Sequence, residues 1–132
     1  RLMLSTYEGA TAQPVVLLAT LPGEHHALGM EMAALYLALS GATPRLLGVD
    51  SPPDQIVSAA RHARARVIGI SISASAKLDA VTEDLEWLLR ETDDDTRVWL
   101  GGRRSKRVAL IHPRLDRLPT WDDLDGALAR LN

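Results

Sequence analysis

Short apolar segments alternate with longer segments of helical spacing along most of this sequence. The clearest apolar segments are residues 14–20 (PVVLLAT), 44–49 (PRLLGV), 67–72 (VIGISI) and 98–100 (VWL). Short segments dominated by branched apolar residues are typical of strands that are buried on both faces of a parallel sheet. The alternation therefore predicts a sheet of parallel strands with helices between them.

The segments of helical spacing predict four main helices at residues 26–41, 51–65, 77–91 and 120–131. In the first, apolar residues recur at intervals of three and four positions: Leu28, Met32, Leu35, Tyr36 and Leu39. Gly41 suits the end of that helix because glycine readily takes the left-handed conformation found there. Thr120 is a suitable cap for the last helix, and Asp122 and Asp123 lie in its first turn, where the helix dipole favours anions.

A short helix at residues 103–108 and a weak fifth strand at residues 109–111 complete the pattern. The predicted fold class is α/β, as a single flavodoxin-like (Rossmann-like), doubly wound domain with a five-stranded parallel sheet in the order 2-1-3-4-5. We expect residues 1–13 to be an N-terminal extension and residues 14–132 to be the domain. Ligands of such sheets bind beyond the carboxyl ends of the strands, so the loops after Thr20, Ile72 and Leu100 are the expected site.

The composition argues against several classes of protein. With no cysteine, the chain has no disulfides, thiolate zinc sites or thiol nucleophiles, and a cytoplasmic location is expected. A formal net charge of -2 gives no overall attraction to nucleic acid or to an anionic membrane. The longest apolar stretch, residues 33–39, is too short to span a bilayer. Because the chain begins with Arg1 rather than methionine, we expect it to be part of a longer protein or a processed product.

The loop after the first predicted strand places an imidazole and a carboxylate two residues apart. Residues 21–29 read LPGEHHALG and contain Glu24 and His26. A neutral imidazole coordinates a transition metal through one nitrogen while a carboxylate holds the other N–H and fixes the tautomer. His26 is therefore a candidate metal ligand and Glu24 its hydrogen-bond partner. The alternatives are a solvent-exposed or capping histidine and an acid that only favours the helix N-terminus.

The loops after the third and fourth predicted strands carry small residues. Ser71, Ser73 and Ser75 offer hydroxyl groups that can bond a heterocycle without filling the space it needs. Gly101 and Gly102 remove two side chains where the backbone has to come close to a bound group. Paired glycines also form strand-to-helix turns in domains that bind nothing. Taken together, the loops predict a slot lined by small residues.

The sequence resembles the cobalamin (vitamin B12) binding domains, whose signature is Asp-x-His-x-x-Gly, then Ser-x-Leu, then Gly-Gly. The residues that carry the resemblance are Glu24, His26, Gly29, Ser71, Gly101 and Gly102. They occur in the family's order, at typical spacing and at the ends of predicted strands, within a resemblance that covers about residues 14–131. Glu24 stands where Asp is commoner, and Ser73 stands where the family has Leu.

The resemblance implies that cobalamin binds in the base-off form. The dimethylbenzimidazole tail would leave the cobalt and enter the protein beside Gly101 and Gly102, and His26 would become the lower axial ligand. Ser71 would hydrogen-bond the benzimidazole nitrogen, and Ser73 and Ser75 would lie near the tail. Gly29 would let the first helix begin close to the ligand. Adenosylcobalamin is the expected form, with methylcobalamin and hydroxocobalamin as alternatives.

The segment LPGEHHALG is most similar to that of the B12-dependent, MerR-class light-responsive repressors. In those repressors, Glu is usual at the site that Glu24 occupies here. This similarity favours a sensory or regulatory domain, a photoreceptor in transcription regulation, over an enzyme. Such regulators carry a helical bundle above the corrin and a DNA-binding region, which here would lie upstream or in another chain. The rival is a corrinoid carrier module of a methyltransferase or mutase. A third alternative is a degenerate domain that only binds other proteins.

The remaining candidate residues favour structural interpretations. His25 is expected to be exposed, and His62 and His112 to be surface residues. The basic segment at residues 103–107 (RRSKR) has no interleaved aromatic residues or recognition helix, so we expect no direct contact with nucleic acid. It could instead lie near the cofactor's phosphate or an acidic partner. The serines lack a Gly-x-Ser-x-Gly elbow, so no catalytic residue is predicted.

Overall fold

The computed structural model describes residues 13–131. The strands are β1 (Val15–Ala19), β2 (Thr43–Gly48), β3 (Val67–Ser71), β4 (Arg97–Gly101) and β5 (Leu115–Leu118). The helices are α1 (Leu28–Leu39), α2 (Pro53–Ala63), α3 (Leu78–Glu91) and α4 (Trp121–Arg130), with a 3₁₀ helix at Arg103–Arg107. Most of the predicted extension, residues 1–12, lies outside the described residues, and so does residue 132. The boundary at residue 14 therefore stays a prediction.

All five strands pair in parallel, in the order β2-β1-β3-β4-β5. The α/β class and the strand order are therefore as predicted. In a parallel sheet, the chain has to run back from the end of one strand to the start of the next. A helix makes each of the first three of these connections. The winding reverses between β1 and β3, so the loops that follow these two strands lie side by side at one edge of the sheet.

The predicted fifth strand at residues 109–111 is wrong. These residues form a connection in which Ile111 is 85% exposed, and β5 begins four positions later, where Leu115 pairs with Val98. The actual strand, LDRL, contains two charged residues, because it lies at the edge of the sheet and is only partly covered. Its Asp116 accepts two hydrogen bonds from Arg97 of β4, at 2.8 and 3.0 Å, so the ion pair joins the two strands.

Each face of the sheet has its own core. On one face, α2 and α3 pack against a continuous apolar surface that includes Ile68 and Leu100, both fully buried. On the other face, α1 and α4 pack against a surface centred on Val67 and Trp99. Toward the carboxyl ends of the strands this second face carries Gly69 and small side chains, so α1 and α4 do not close over it.

The side of helix α1 that packs against the sheet differs from the side that the spacing of its apolar residues predicts. The buried residues are Met30, Ala34 and Leu37. Of the five apolar residues that recur at regular intervals, Tyr36 is half-buried against the core, and the other four face outward with exposed fractions from 47 to 79%: Leu28, Met32, Leu35 and Leu39. Glu31 is the one charged residue of the helix, so the helix is apolar on every side and periodicity does not specify its buried face.

No helix within residues 13–131 combines the length and the apolar content that crossing a membrane requires.

Candidate functional site

The loop between β1 and α1 is fixed to the end of β2 by hydrogen bonds. The hydroxyl of Thr20 donates to the carbonyl oxygen of Glu24 at 2.7 Å and accepts from the backbone N–H of Asp50 at 2.9 Å. The Asp50 carboxylate accepts in turn from the N–H of Gly23 at 2.7 Å. Gly23 has φ +86°, a conformation that glycine takes without strain. These contacts hold the backbone of Glu24 in place, and the side chain points into the protein.

The carboxylate of Glu24 is the centre of a hydrogen-bonded cluster. The residue is only 7% exposed, and its Oε1 accepts hydrogen bonds from the backbone N–H and the hydroxyl of Ser73, both at 2.8 Å. Its Oε2 lies 2.7 Å from Nδ1 of His26. The predicted pairing of Glu24 with His26 is thus formed, and it joins the loop after β1 to the loop after β3.

Burial and hydrogen bonding act in opposite directions on Glu24. Burial by itself would raise the pKa of the carboxyl group, but the hydrogen bonds from Ser73 and His26 outweigh it and hold the pKa below its ordinary value of 4.5. The group is therefore a carboxylate at neutral pH. An anion beside Nδ1 favours the tautomer that carries its proton on Nδ1, which leaves Nε2 with a lone pair for a metal.

The structure gives Ser73 a contact that the sequence did not predict. Its hydroxyl oxygen lies 2.8 and 3.0 Å from the two carboxylate oxygens of Glu24, and 3.0 Å from the hydroxyl of Ser75. The serine that stands in place of the family's leucine therefore supports the longer acid that stands in place of aspartate. The two departures from the family pattern are joined by direct contact.

Next to His26, a cavity of about 350 Å³ opens between α1 and α4. The residues of the predicted site that line it are His26, Gly29, Ser71, Ser73, Gly101 and Gly102. Its deeper wall is mostly apolar: Leu18, Met30, Leu37, Trp99, Leu118 and Leu124. We call this cavity the slot. Most of the predicted site residues, from three loops, thus meet at one opening. Glu24 and Ser75 do not line the slot and lie behind Ser73.

The backbone requires glycine at one position around the slot, and close packing favours it at a second. At Gly102, φ is +104°, and a Cβ atom would lie 2.3 Å from the carbonyl oxygen of Ile72. At Gly29, a Cβ atom would lie 2.8 Å from the hydroxyl of Ser71, so glycine lets α1 approach β3. Gly101 differs, because a Cβ atom there would make only an ordinary contact, 3.8 Å from the carbonyl oxygen of Ile70. The backbone at Gly101 could therefore carry a side chain, and the lack of one leaves the slot open.

The other three histidines lie away from the slot wall. His25 and His62 are exposed, as predicted. His112 is half-buried rather than fully on the surface, and its Nδ1 accepts from the backbone N–H of Arg114 at 3.0 Å. Sequence reasoning also missed part of the wall, namely Trp99 of β4 and Trp121 of α4. Strand periodicity places Trp99 on the same face as Gly101, but no sequence signal shows that α4 would form the far wall.

Comparison with known proteins gives one family and a set of similar folds. Residues 14–109 match the model of the B12 binding domain. Among curated proteins, no relative is found.

Three of the similar solved structures are cobalamin or corrinoid proteins by name. A cobalamin-binding protein from Desulfitobacterium hafniense DCB-2 has a TM-score of 0.61 and 20% identity, over 96% of this chain and 55% of that one. The methanol:cobalamin methyltransferase complex MtaBC from Methanosarcina barkeri has a TM-score of 0.68 and 18% identity, over 95% and 51%. The monomethylamine corrinoid protein from Methanosarcina barkeri has a TM-score of 0.65 and 16% identity, over 89% and 57%. This chain therefore spans about half the length of these proteins, and the likeness is one of fold.

Proposed function

Because this chain belongs to the B12-binding domain family, we propose that it binds cobalamin in the base-off form, with His26 as the lower axial ligand of cobalt. The observation that carries the proposal is the position of the His26 ring. It is held by a buried carboxylate on one side, it is exposed on the other, and it lies at the opening of a slot. A metal ligand and a place for the displaced base are thus adjacent.

The residues present fit this cofactor. Imidazole is a common ligand of transition metals, and cobalamin supplies the remaining ligands of its cobalt itself. The slot offers the hydroxyl of Ser71, and Gly101 leaves space beside it. A planar heterocycle with polar ring and sugar atoms would fill that space and bond this hydroxyl.

Each residue of the site has a proposed part in binding. His26 coordinates the cobalt, and Glu24 orients its ring. Ser73 and Ser75 extend the hydrogen-bonded cluster behind Glu24 and so act on the ligand through it. Ser71 bonds the benzimidazole, Gly101 keeps the slot open, and Gly29 and Gly102 let the backbone segments around the slot approach each other. When bound, cobalamin supplies the chemistry of a cobalt–carbon bond, and the protein sets its ligation and orientation.

Two roles are open for the bound cofactor. The first is a sensory or regulatory domain that responds to light or to adenosylcobalamin, and the similarity of LPGEHHALG to the light-responsive repressors supports it. Its output would need a helical cap and a DNA-binding region from outside this domain. The second is a corrinoid carrier for a methyltransferase. In its favour, one similar structure is named as a methyltransferase complex and another as a methylamine corrinoid protein.

Reconstitution tests binding and role together. The protein is mixed with hydroxocobalamin, methylcobalamin and adenosylcobalamin, and absorption spectra and oligomeric state are recorded in darkness and after illumination. Binding should convert the spectrum to that of base-off cobalamin with a histidine ligand. A light-dependent change of oligomeric state with the adenosyl form supports the regulator, whereas methyl transfer to an added thiol without such a change supports the carrier. Failure to bind any of the three would refute the proposed function.

A further inference from the structure

We propose that Arg103 binds the phosphodiester of the cofactor's nucleotide tail, an inference that rests on the proposed function. Arg103 directly follows Gly102 at the start of the 3₁₀ helix, and it lines the slot. It is the one lysine or arginine among the lining residues, and the lining residues include no aspartate or glutamate. The slot thus has a single permanent charge, and that charge is positive.

The other basic residues of the same segment are placed differently. Arg104 donates to the carbonyl oxygens of Ala74 and Ala76, at 2.6 and 3.0 Å, which anchors the 3₁₀ helix to the loop after β3. Lys106 and Arg107 are exposed and do not line the slot. Arg103 is also exposed, and within residues 13–131 it makes no hydrogen bond or ion pair. Its guanidinium group therefore remains available to a ligand.

The covalent order of cobalamin indicates which group passes Arg103. A chain from the corrin leads first to the phosphodiester, then to the ribose, and last to the benzimidazole. If His26 holds the cobalt at the opening and the base occupies the apolar depth beside Leu37 and Trp99, the phosphodiester lies between them, near the opening. A guanidinium group binds phosphate oxygens through paired N–H donors, and such charge-assisted bonds are stronger than neutral ones.

The N-terminus of α4 is the other feature near the opening that could attract an anion, but a capping box and two carboxylates already occupy its first turn. Thr120 accepts from the backbone N–H of Asp123, and the Asp123 carboxylate accepts from Thr120 in return. The carboxylates of Asp122 and Asp123 also add negative charge to that first turn. The geometry therefore leaves Arg103 as the residue that recognises the phosphate.

The test compares three corrinoids and three forms of the protein. Cobalamin has the whole tail, cobinamide phosphate has the phosphate without the nucleoside, and cobinamide has neither. Affinities are measured by absorption titration at low ionic strength for the wild type, Arg103→Gln and the matched control Arg107→Gln, which removes an equal charge from the same 3₁₀ helix. Circular dichroism and thermal unfolding verify that both variants fold.

We expect Arg103→Gln to weaken the binding of cobalamin and of cobinamide phosphate by about tenfold, the size of a charge-assisted hydrogen bond, and to leave cobinamide unchanged. Arg107→Gln should change none of the three. The assignment of Arg103 is overturned if the loss extends to cobinamide, if it affects cobalamin alone, or if the two variants behave alike. Wild-type protein that binds none of the corrinoids would instead overturn the proposed function, and the inference with it.

Discussion

Nδ1 of His26 lies 2.7 Å from Oε2 of Glu24, yet the two side chains are 68% and 8% exposed. The ring thus extends from the protein surface while the group that orients it is fixed inside. An exposed ring held by one nitrogen has few orientations, and its other nitrogen stays accessible to a ligand. The neighbouring histidines His25 and His26 are both exposed, but the carboxylate of Glu24 holds the ring of His26.

His26→Ala should abolish the histidine ligation of cobalt and weaken cobalamin binding by more than about tenfold, because the metal loses its protein ligand. The absorption spectrum of the bound cofactor and a binding titration measure the two effects. His25→Ala is the matched control, since it removes the same side chain one position earlier and outside the slot. If His25→Ala changed the ligation and His26→Ala did not, the ligand would have to be reassigned.

The parts of the fold that the sequence predicts are those with strong and regular patterns. Buried strands such as β3 are short apolar runs, and the last helix carries a capping box in which Thr120 and Asp123 bond each other. The edge strand β5 was misplaced because a half-covered strand with charged residues lacks such a pattern. The sequence does not predict which side of α1 is buried, because apolar residues lie on every side of this helix.

The candidate site was predictable to the extent that its residues lie at strand ends. Parallel strands bring their carboxyl ends to one edge, so His26, Ser71 and Gly101 had to come together. The bond from Ser73 to Glu24 was not predictable, because it depends on how far a side chain reaches across two loops. The sequence does not distinguish Arg103 from the other basic residues at 103–107, and only the course of the slot separates it from Arg107.

Replacing Glu24 by glutamine should change how stability depends on pH. The folded protein holds the pKa of Glu24 below its ordinary value of 4.5, so the carboxylate contributes stability above that value, and the contribution is lost as the pH falls through the lower, folded pKa. The wild type should therefore lose more stability than Glu24→Gln below pH 4.5. Urea unfolding of the cofactor-free protein at a series of pH values measures this. Parallel pH profiles for the two proteins would contradict it.

Ser73→Ala should destabilise the domain by about 1–3 kcal/mol, because it leaves a buried carboxylate short of a hydrogen-bond donor. The loss should be smaller when Glu24 is already glutamine, with a coupling of about 0.5–3 kcal/mol in a double-mutant cycle. Urea unfolding at neutral pH supplies the four free energies. Ser75→Ala is the control, since Ser75 contacts Ser73 but not the carboxylate. Additive effects of Ser73→Ala and Glu24→Gln would show that the energy of the contact does not depend on the charge of Glu24.

Gly101→Leu should fill the slot and prevent the benzimidazole from entering it, while the sheet stays folded. The reason is geometric: a Cβ atom at Gly101 makes only an ordinary contact with the carbonyl oxygen of Ile70, so the side chain can extend into the slot at little cost to the backbone. We expect cobalamin to bind much more weakly, and cobinamide, which has no base to insert, to bind as it does to the wild type.

Gly102→Ala is the informative comparison for Gly101→Leu. It adds only a methyl group, but at φ +104° and 2.3 Å from the carbonyl oxygen of Ile72. We expect it to cost about 1–3 kcal/mol of folding free energy through backbone strain. Thermal unfolding should thus distinguish a blocked slot at Gly101 from a strained turn at Gly102. Unchanged cobalamin binding by a folded Gly101→Leu variant would mean that the base does not enter the space beside Trp99.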